Sequence, residues 1–260
     1  MNSKLCRFFA GVCVVAAAAI WAVPASAQMT EVKEKPPMYS YVADWVIPRA
    51  HWGEMQKSYS DSTQVLAKAM SDGTIVAYGY DEALVHTPDG STHDNWWASM
   101  SQAGLFNVLN QFYANGTATS QVFGSATKHW DAVYVARYYN WHSGSVKDGY
   151  SMASFYKLRE HAPDRALDTL SKSLIGPLLE KMLADGTISE WEIDTQAVQT
   201  EAPGTFIIYY VANSPDAFDK VNAAIQEDLK SNPLAGPAFV SAVSLNSGRD
   251  EVARSTATYK

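Results

Sequence analysis

Residues 66–85, LAKAMSDGTIVAYGYDEALV, and residues 179–198, LEKMLADGTISEWEIDTQAV, align without a gap at an offset of 113. They share Leu66/Leu179, Lys68/Lys181, the Asp-Gly-Thr-Ile blocks at 72–75 and 185–188, Asp81/Asp194 and Val85/Val198. Two shorter matches flank this one. Tyr41-Val42-Ala43 with Trp45 matches Tyr134-Val135-Ala136 with Tyr138, and Ser125 with Asp131 matches Ser244 with Asp250. Three matches in one order point to an internal duplication. That constrains the fold more than any single motif, because each half must then build the same kind of unit.

The two copies read with one element order. A short strand of period-two alternation (39–47; 133–139) leads into a helical pattern. In copy one Trp52, Met55, Tyr59, Ser62, Leu66 and Ala69 recur at three- and four-residue steps, one face of a helix that Asp72-Gly73 should end. A long strand (74–87; 187–200), a second strand (92–100; 205–212), a helix (101–114; 215–230) and a last strand (122–129; 238–245) complete β-α-β-β-α-β. Copy two holds about twenty extra residues before its Asp-Gly, broken at His161-Ala162-Pro163, where an additional helix is expected.

Two such units in tandem resemble the dimeric α+β barrel superfamily, with both halves on one chain. The resemblance is one of topology and carries no family motif, so no catalytic residue transfers with it. It implies an α+β fold of two ferredoxin-like units whose sheets face each other as a pseudo-dimeric barrel around a cavity. Proteins of this superfamily include cofactor-free monooxygenases, haem-dependent enzymes and small-molecule binders, so the fold leaves function open. The domain reading is a signal peptide at 1–27, a first repeat at 28–131, and a second at 132–260 with a helical insertion near 143–178 and a C-terminal tail.

The signal peptide is read from Lys4 and Arg7, the apolar run Phe8 to Val23 and the small residues Ala25-Ser26-Ala27, with cleavage expected before Gln28. Its 16 apolar residues fall short of the roughly 20 that a spanning helix needs. A soluble periplasmic or secreted protein is expected, with no membrane association after cleavage. Both cysteines, Cys6 and Cys13, lie in that segment, so the 233 residues that follow contain no thiol ligand or nucleophile. Those residues carry 18 Lys and Arg against 27 Asp and Glu, a net charge of −9. Without a basic cluster, nucleic acid is not an expected partner.

The stretch VHTPDGSTHDNWW, 85–97, gathers two histidines and a Trp pair around a turn. With Thr87-Pro88-Asp89-Gly90 as a type I turn and Gly90 left-handed, His86 pairs with Thr92 and His93 with Val85. The two rings then point to opposite faces and share no metal; no metal site is expected. Copy two carries Glu190, Glu192 and Asp194 on one strand face, which can hardly lie under helices. The other face, Trp191 and Ile193 and with it Tyr78 and Tyr80, should therefore be core. The Ala77/Gly79 face is left for the inter-sheet cavity, together with His93 and Trp97.

His93 and Trp97 thus lead the pocket candidates, followed by His86, His129 beside Asp131, and His51, whose neighbour Glu54 suits a helix-surface ion pair. No Walker loop, dinucleotide fingerprint, His-Glu-x-x-His or serine elbow is present. The catalytic residues and any cofactor stay unnamed. Three functions are open at this point: a binder of a small organic ligand in an aromatic- and histidine-lined inter-sheet cavity, a cofactor-free monooxygenase-like or haem-dependent enzyme, or a structural protein with a filled cavity. Self-association is a further option.

Overall fold

The computed structural model describes residues 30–260; the expected signal segment lies outside them. Helix α1 (Trp52–Ser71) buries Met55, Tyr59, Ser62, Leu66 and Ala69, the face that the sequence spacing marks. It ends where Gly73 takes φ +77, with Thr74 N–H donating to Ala69 O at 2.9 Å. Helix α5 (Gly176–Ala184) ends the same way: Gly186 has φ +77 and Thr187 N–H donates to Met182 O at 3.0 Å. This six-to-one hydrogen bond over a left-handed glycine is the Schellman cap. It is the physical content of the repeated Asp-Gly-Thr-Ile block.

Eight strands follow one another in the chain: β1 (Met38–Val46), β2 (Ala77–Ala83), β3 (His93–Ser99), β4 (Lys128–Trp141), β5 (Gly144–Leu158), β6 (Ile188–Val198), β7 (Thr205–Ala212) and β8 (Val243–Tyr259). They close into an antiparallel barrel in the order β1-β3-β2-β8-β5-β7-β6-β4. The first four strands lie as β4-β1-β3-β2 and the last four as β8-β5-β7-β6. The β2·β8 and β4·β6 ladders seal the two groups together. No strand edge is left free, which removes the usual route to edge-to-edge association.

Helices lie outside the barrel. Against the first four strands pack α1, α2 (Gln102–Ala114) and the short α3 (Gln121–Gly124). Against the last four pack α4 (Ala166–Leu170), a π-helical turn Ser171–Ile175, α5, α6 (Pro215–Ser231) and α7 (Ala235–Ala242). Each sheet–helix layer has its own core. In the first, Met55, Tyr59, Trp97 and Leu105 are at most 2% exposed, and each contributes roughly 1.5–3 kcal/mol of burial. Trp191 and Ile193 lie in the second and Tyr78 in the first, as the acidic face of copy two implies. Among the described residues no helix is long and apolar enough to cross a membrane.

Several elements differ from the sequence reading; the strands expected at 122–129 and 238–245 are in part the helices α3 and α7. Residues 133–139 belong to β4, which pairs with β1 and closes the first group, so the Tyr-Val-Ala match joins two neighbouring, non-equivalent strands. An expected boundary at 131/132 falls inside that strand. The segment read as a helical insertion at 143–178 begins with the fifteen-residue strand β5. Its alternation is obscured by a register shift between Val146 and Gly149 and by small polar residues on both faces. The presumed C-terminal tail is most of β8, seventeen residues long and inserted between β2 and β5.

Candidate functional site

The β2–β3 register decides where the hairpin residues go. Glu82 pairs with His93 and Ala83 N–H donates to Thr92 O at 3.0 Å, so residues 84–92 form a long loop rather than a three-residue turn. Gly90 is not among the residues with positive φ. The pairing differs from the expected one by an odd number of residues, and an odd slip turns every side chain to the opposite face. Asp94 and Trp96 therefore face the barrel lumen, while His93, Asn95 and Trp97 face the helices.

His93 and His86 do not sit on opposite sides either. The His86 ring stacks on Trp52 at 5.4 Å and the His93 ring meets the same indole edge-on at 5.3 Å. His93 is 1% exposed, with Nδ1 2.9 Å from Thr92 Oγ1; burial, and then the neighbouring His86, push its imidazole down to about 4. It is a neutral core residue that lines no cavity. His51 bonds Glu54 at 3.0 Å on an exposed helix start. Of the five candidates, the structure brings His86 and His93 together on Trp52, and Trp97 and His129 together around a cavity.

They meet in a cavity of about 400 Å³ between β1, β3 and β4 on one side and α1, α2 and α3 on the other. Its walls are aromatic. Tyr41 stacks on Trp97 at 4.5 Å, Phe112 abuts Trp97 edge-on, and Trp45 stacks on Phe123 at 4.4 Å. Polar groups punctuate this wall. Ser62 Oγ and Asn95 Oδ1 are buried in the lining without a hydrogen-bond partner. Such orphaned groups are uncommon and mark positions where a ligand or water completes the bonding. Burial first, then the nearby Asp131 carboxylate, push the Tyr41 phenol well above its usual range, so it is a neutral hydroxyl.

His129 stands at the rim. Its ring lies flat on Trp45 at 4.7 Å, Nδ1 is 2.8 Å from Asp44 O, and Nε2 is 3.5 Å from Asp131 Oδ1. A carbonyl oxygen only accepts, so Nδ1 carries the proton of this bond, and Nε2 of the neutral ring is the basic nitrogen. Asp131 is placed to stabilise the imidazolium formed when Nε2 takes a proton. Sequence reasoning found His129 and the Asp131/Asp250 match. It missed Tyr41, Ser62 and Asn95, which carry no motif and meet only through the β1–β3 register.

A second cavity, of about 460 Å³, occupies the equivalent place between β5, β7 and β8 and helices α5, α6 and α7. Its lining is mostly aliphatic, including Leu178, Leu179, Val221 and Ile225, with Tyr156, Tyr210 and Phe239 beside them, and it contains no histidine. Asp250 takes the place of Asp131 there, accepting a hydrogen bond from Ser154 Oγ at 2.6 Å. The inter-sheet space expected to hold a ligand among aromatics and histidine is instead a lumen of about 100 Å³ with six carboxylates in its lining.

For haem, which the fold resemblance leaves among its possibilities, the first cavity offers one histidine, at its rim, and the second offers two phenols. An axial ligand needs a lone pair open to the cavity. His129 is 43% exposed at the rim, with one ring face on Trp45 and Asp131 beside Nε2. In the second cavity burial raises the Tyr156 phenol and pushes the Tyr210 phenol up to about 12, so both are neutral hydroxyls. Among the described residues no group of three or more His, Cys, Asp or Glu is arranged to hold a metal ion.

No protein-family model matches the sequence, and no curated protein matches it. Solved structures do. The chain is similar to a candidate monooxygenase from Lactobacillus acidophilus (11% identity, TM-score 0.60, covering 86% of this chain and 97% of that one). It is similar as well to a candidate monooxygenase from Fusobacterium nucleatum (7% identity, TM-score 0.63, 87% and 95%). A third is an anthrone oxidase-like protein (13% identity, TM-score 0.53, 85% and 92%). What these likenesses share with this chain is the fold, that of the dimeric α+β barrel proteins.

Proposed function

We propose that this protein binds a small planar organic molecule, apolar in its faces and carrying a hydroxyl or carbonyl at one edge, in the cavity of the first half. The observation behind this reading is the pairing of stacked aromatic walls with two unpartnered polar groups, Ser62 Oγ and Asn95 Oδ1, in the same lining. Flat apolar walls favour an aromatic ring by burial and stacking, and orphaned polar atoms select a ligand that can bond to them. 2-Naphthol, titrated against the intrinsic Trp fluorescence, tests this. Binding to the wild type that weakens about tenfold in an Asn95→Leu variant supports the reading, since one lost hydrogen bond is worth about 1 kcal/mol or somewhat more. Equal binding by both proteins refutes it.

The His129–Asp131 pair favours a second reading, cofactor-independent oxygenation of a carbon acid. Neutral His129 Nε2 removes a proton from an acidic CH₂ held between two aromatic rings and conjugated through them with a carbonyl, and Asp131 supports the imidazolium. The carbanion then reacts with O₂. Overall the CH₂ loses two hydrogens and gains one oxygen atom to become C=O, and the second oxygen atom leaves as water. O₂ accepts all four electrons, so no other co-reactant is needed. Anthrone has such a methylene, and the name of one similar structure points to that class. Oxygen uptake with anthrone that vanishes in His129→Gln is the expected result.

Four more proposals complete the reading. The two groups of four strands are ferredoxin-like units descended from one duplicated unit, with the join near residues 142–143; the shared Schellman caps and equivalent cavities support this. The chain is exported and cleaved before Gln28, so N-terminal sequencing of the mature protein should begin there. Its acidic charge disfavours nucleic acid as a partner. Self-association, where it occurs, would not be needed to close the barrel, because one chain supplies all eight strands.

A further inference from the structure

The barrel lumen contains an electrostatic anomaly that the first cavity does not use. Asp44, Asp94 and Asp81 are direct cross-strand partners on β1, β3 and β2, three like charges side by side on one face. From the other half, Glu192, Asp194 and Glu251 line the same space. Among the described residues no lysine or arginine lines it. Arg249, half-exposed and lying 3.7 Å over the Phe155 ring, pairs with Glu251 and Glu201 and reaches Asp44 with its charge, which leaves Asp81, Asp94, Glu192 and Asp194 without a cation. Like charges directly opposite on neighbouring strands are destabilising, and buried charge normally has a partner. What is the partner here?

The unpaired atoms describe it. Asp81 Oδ1 and Asp194 Oδ1, in residues 5% and 3% exposed, and Glu192 Oε2 have no hydrogen-bond partner. Independently of the carboxylates, the indole N–H of Trp96, 8% exposed and lining the same cavity, is an unpartnered donor. Asp81 and the Glu192–Asp194 pair, whose carboxyls also bond each other, offer acceptors to a primary ammonium group, and the unpartnered Trp96 N–H and Tyr209 O–H can meet an oxygen on the same molecule. The aromatic faces of Trp96, Tyr134 and Phe155 suit a cation as well. A volume of about 100 Å³ corresponds to about three waters, enough for a molecule of four or so heavy atoms. A metal ion is disfavoured, because these oxygens form no cluster with metal-holding geometry among the described residues.

We infer that the barrel lumen is a second binding site, for a short amino alcohol bound as its ammonium ion, held by Asp81, Glu192 and Asp194 and by the Trp96 N–H. This site is separate from the sheet–helix cavity and does not depend on how that cavity is used. The test is calorimetric titration at pH 8 with 2-aminoethanol hydrochloride, calcium chloride and sodium chloride at matched ionic strength. 2-Aminoethanol is expected to bind, with affinity reduced at least tenfold in Asp194→Asn and in Asp81→Asn, since each variant loses a charge-assisted hydrogen bond. A wild-type-like circular dichroism spectrum and cooperative thermal unfolding verify that both variants are folded, and a variant failing that control is replaced by Trp96→Phe, which should also weaken the amine. No heat with 2-aminoethanol would overturn the inference and leave protons alone to neutralise the lumen. Binding of calcium without the amine, or amine binding that survives in every folded variant, would overturn it equally.

Discussion

Replacing Asp81 by asparagine should make the protein more stable, by an amount that grows with pH. Asp81 is 5% exposed, and burial holds its carboxyl at about 6 although hydrogen bonds from Ser255 and Ser151 pull it down. In the unfolded chain the same group titrates near its ordinary 3.8. A folded value above the unfolded one means that the native state holds the proton longer. Stability is therefore full below about pH 4 and is lost as pH rises through about 6. At about 1.4 kcal/mol per pH unit the whole loss is about 3 kcal/mol, and about 1.4 kcal/mol of it falls between pH 5 and 8. Asp44 and Glu192, raised to about 7 by burial, extend the same slope. His93 opposes it: held at about 4 against an ordinary 6.5, it costs stability as pH falls below about 6.5. Comparing wild type with Asp81→Asn cancels that contribution. Urea unfolding at pH 5, 6, 7 and 8, without amines, should show the variant's advantage widening by about 1.4 kcal/mol, or about 3–6 °C in melting temperature for a chain of this size. An advantage that stays constant or narrows over this range would refute the reasoning.

Asn95→Leu should raise the stability of the free protein by about 1 kcal/mol, because it removes a buried acceptor that has no partner, as urea unfolding will show. His129→Gln should leave the melting temperature within about 2 °C of wild type, since the ring is 43% exposed, while abolishing oxygen uptake with anthrone. Gly73→Ala and Gly186→Ala should each cost about 1–2 kcal/mol of unfolding free energy, since both sit at φ +77 and a Cβ there meets no clash. Unequal costs at the two sites would argue against equivalent caps.

The parts of this fold that were legible in the sequence are those set by local chemistry. The Asp-Gly pairs at 72–73 and 185–186 announce helix caps because only glycine accepts the left-handed turn without strain, and the face of α1 shows in its three- and four-residue spacing. Glu190, Glu192 and Asp194 also told which side of β6 faces away from the helices. Register was not legible. The 84–92 loop offers a Pro-Asp-Gly turn, yet the ladder pairs Glu82 with His93, and this slip moved His93 and Trp97 from the lumen to the helix side. β5 stayed hidden because its Ser-Met-Ala-Ser alternation is weakly apolar on both faces and its ladder partners, β7 and β8, are far along the chain. The cavity residues Tyr41, Ser62 and Asn95 come from three elements that only the closed sheet brings together.

The most direct test of the ligand site is a crystal structure of the protein with 2-naphthol bound. The expected result is the ring system lodged between the sheet and helices of the first half, against Trp97 and Phe112, with its hydroxyl within hydrogen-bond distance of Asn95 Oδ1 or Ser62 Oγ. Naphthol bound in the aliphatic cavity between β5, β7 and α6 instead, with Asn95 and Ser62 still unpartnered, would contradict the assignment of the first-half cavity as the functional site.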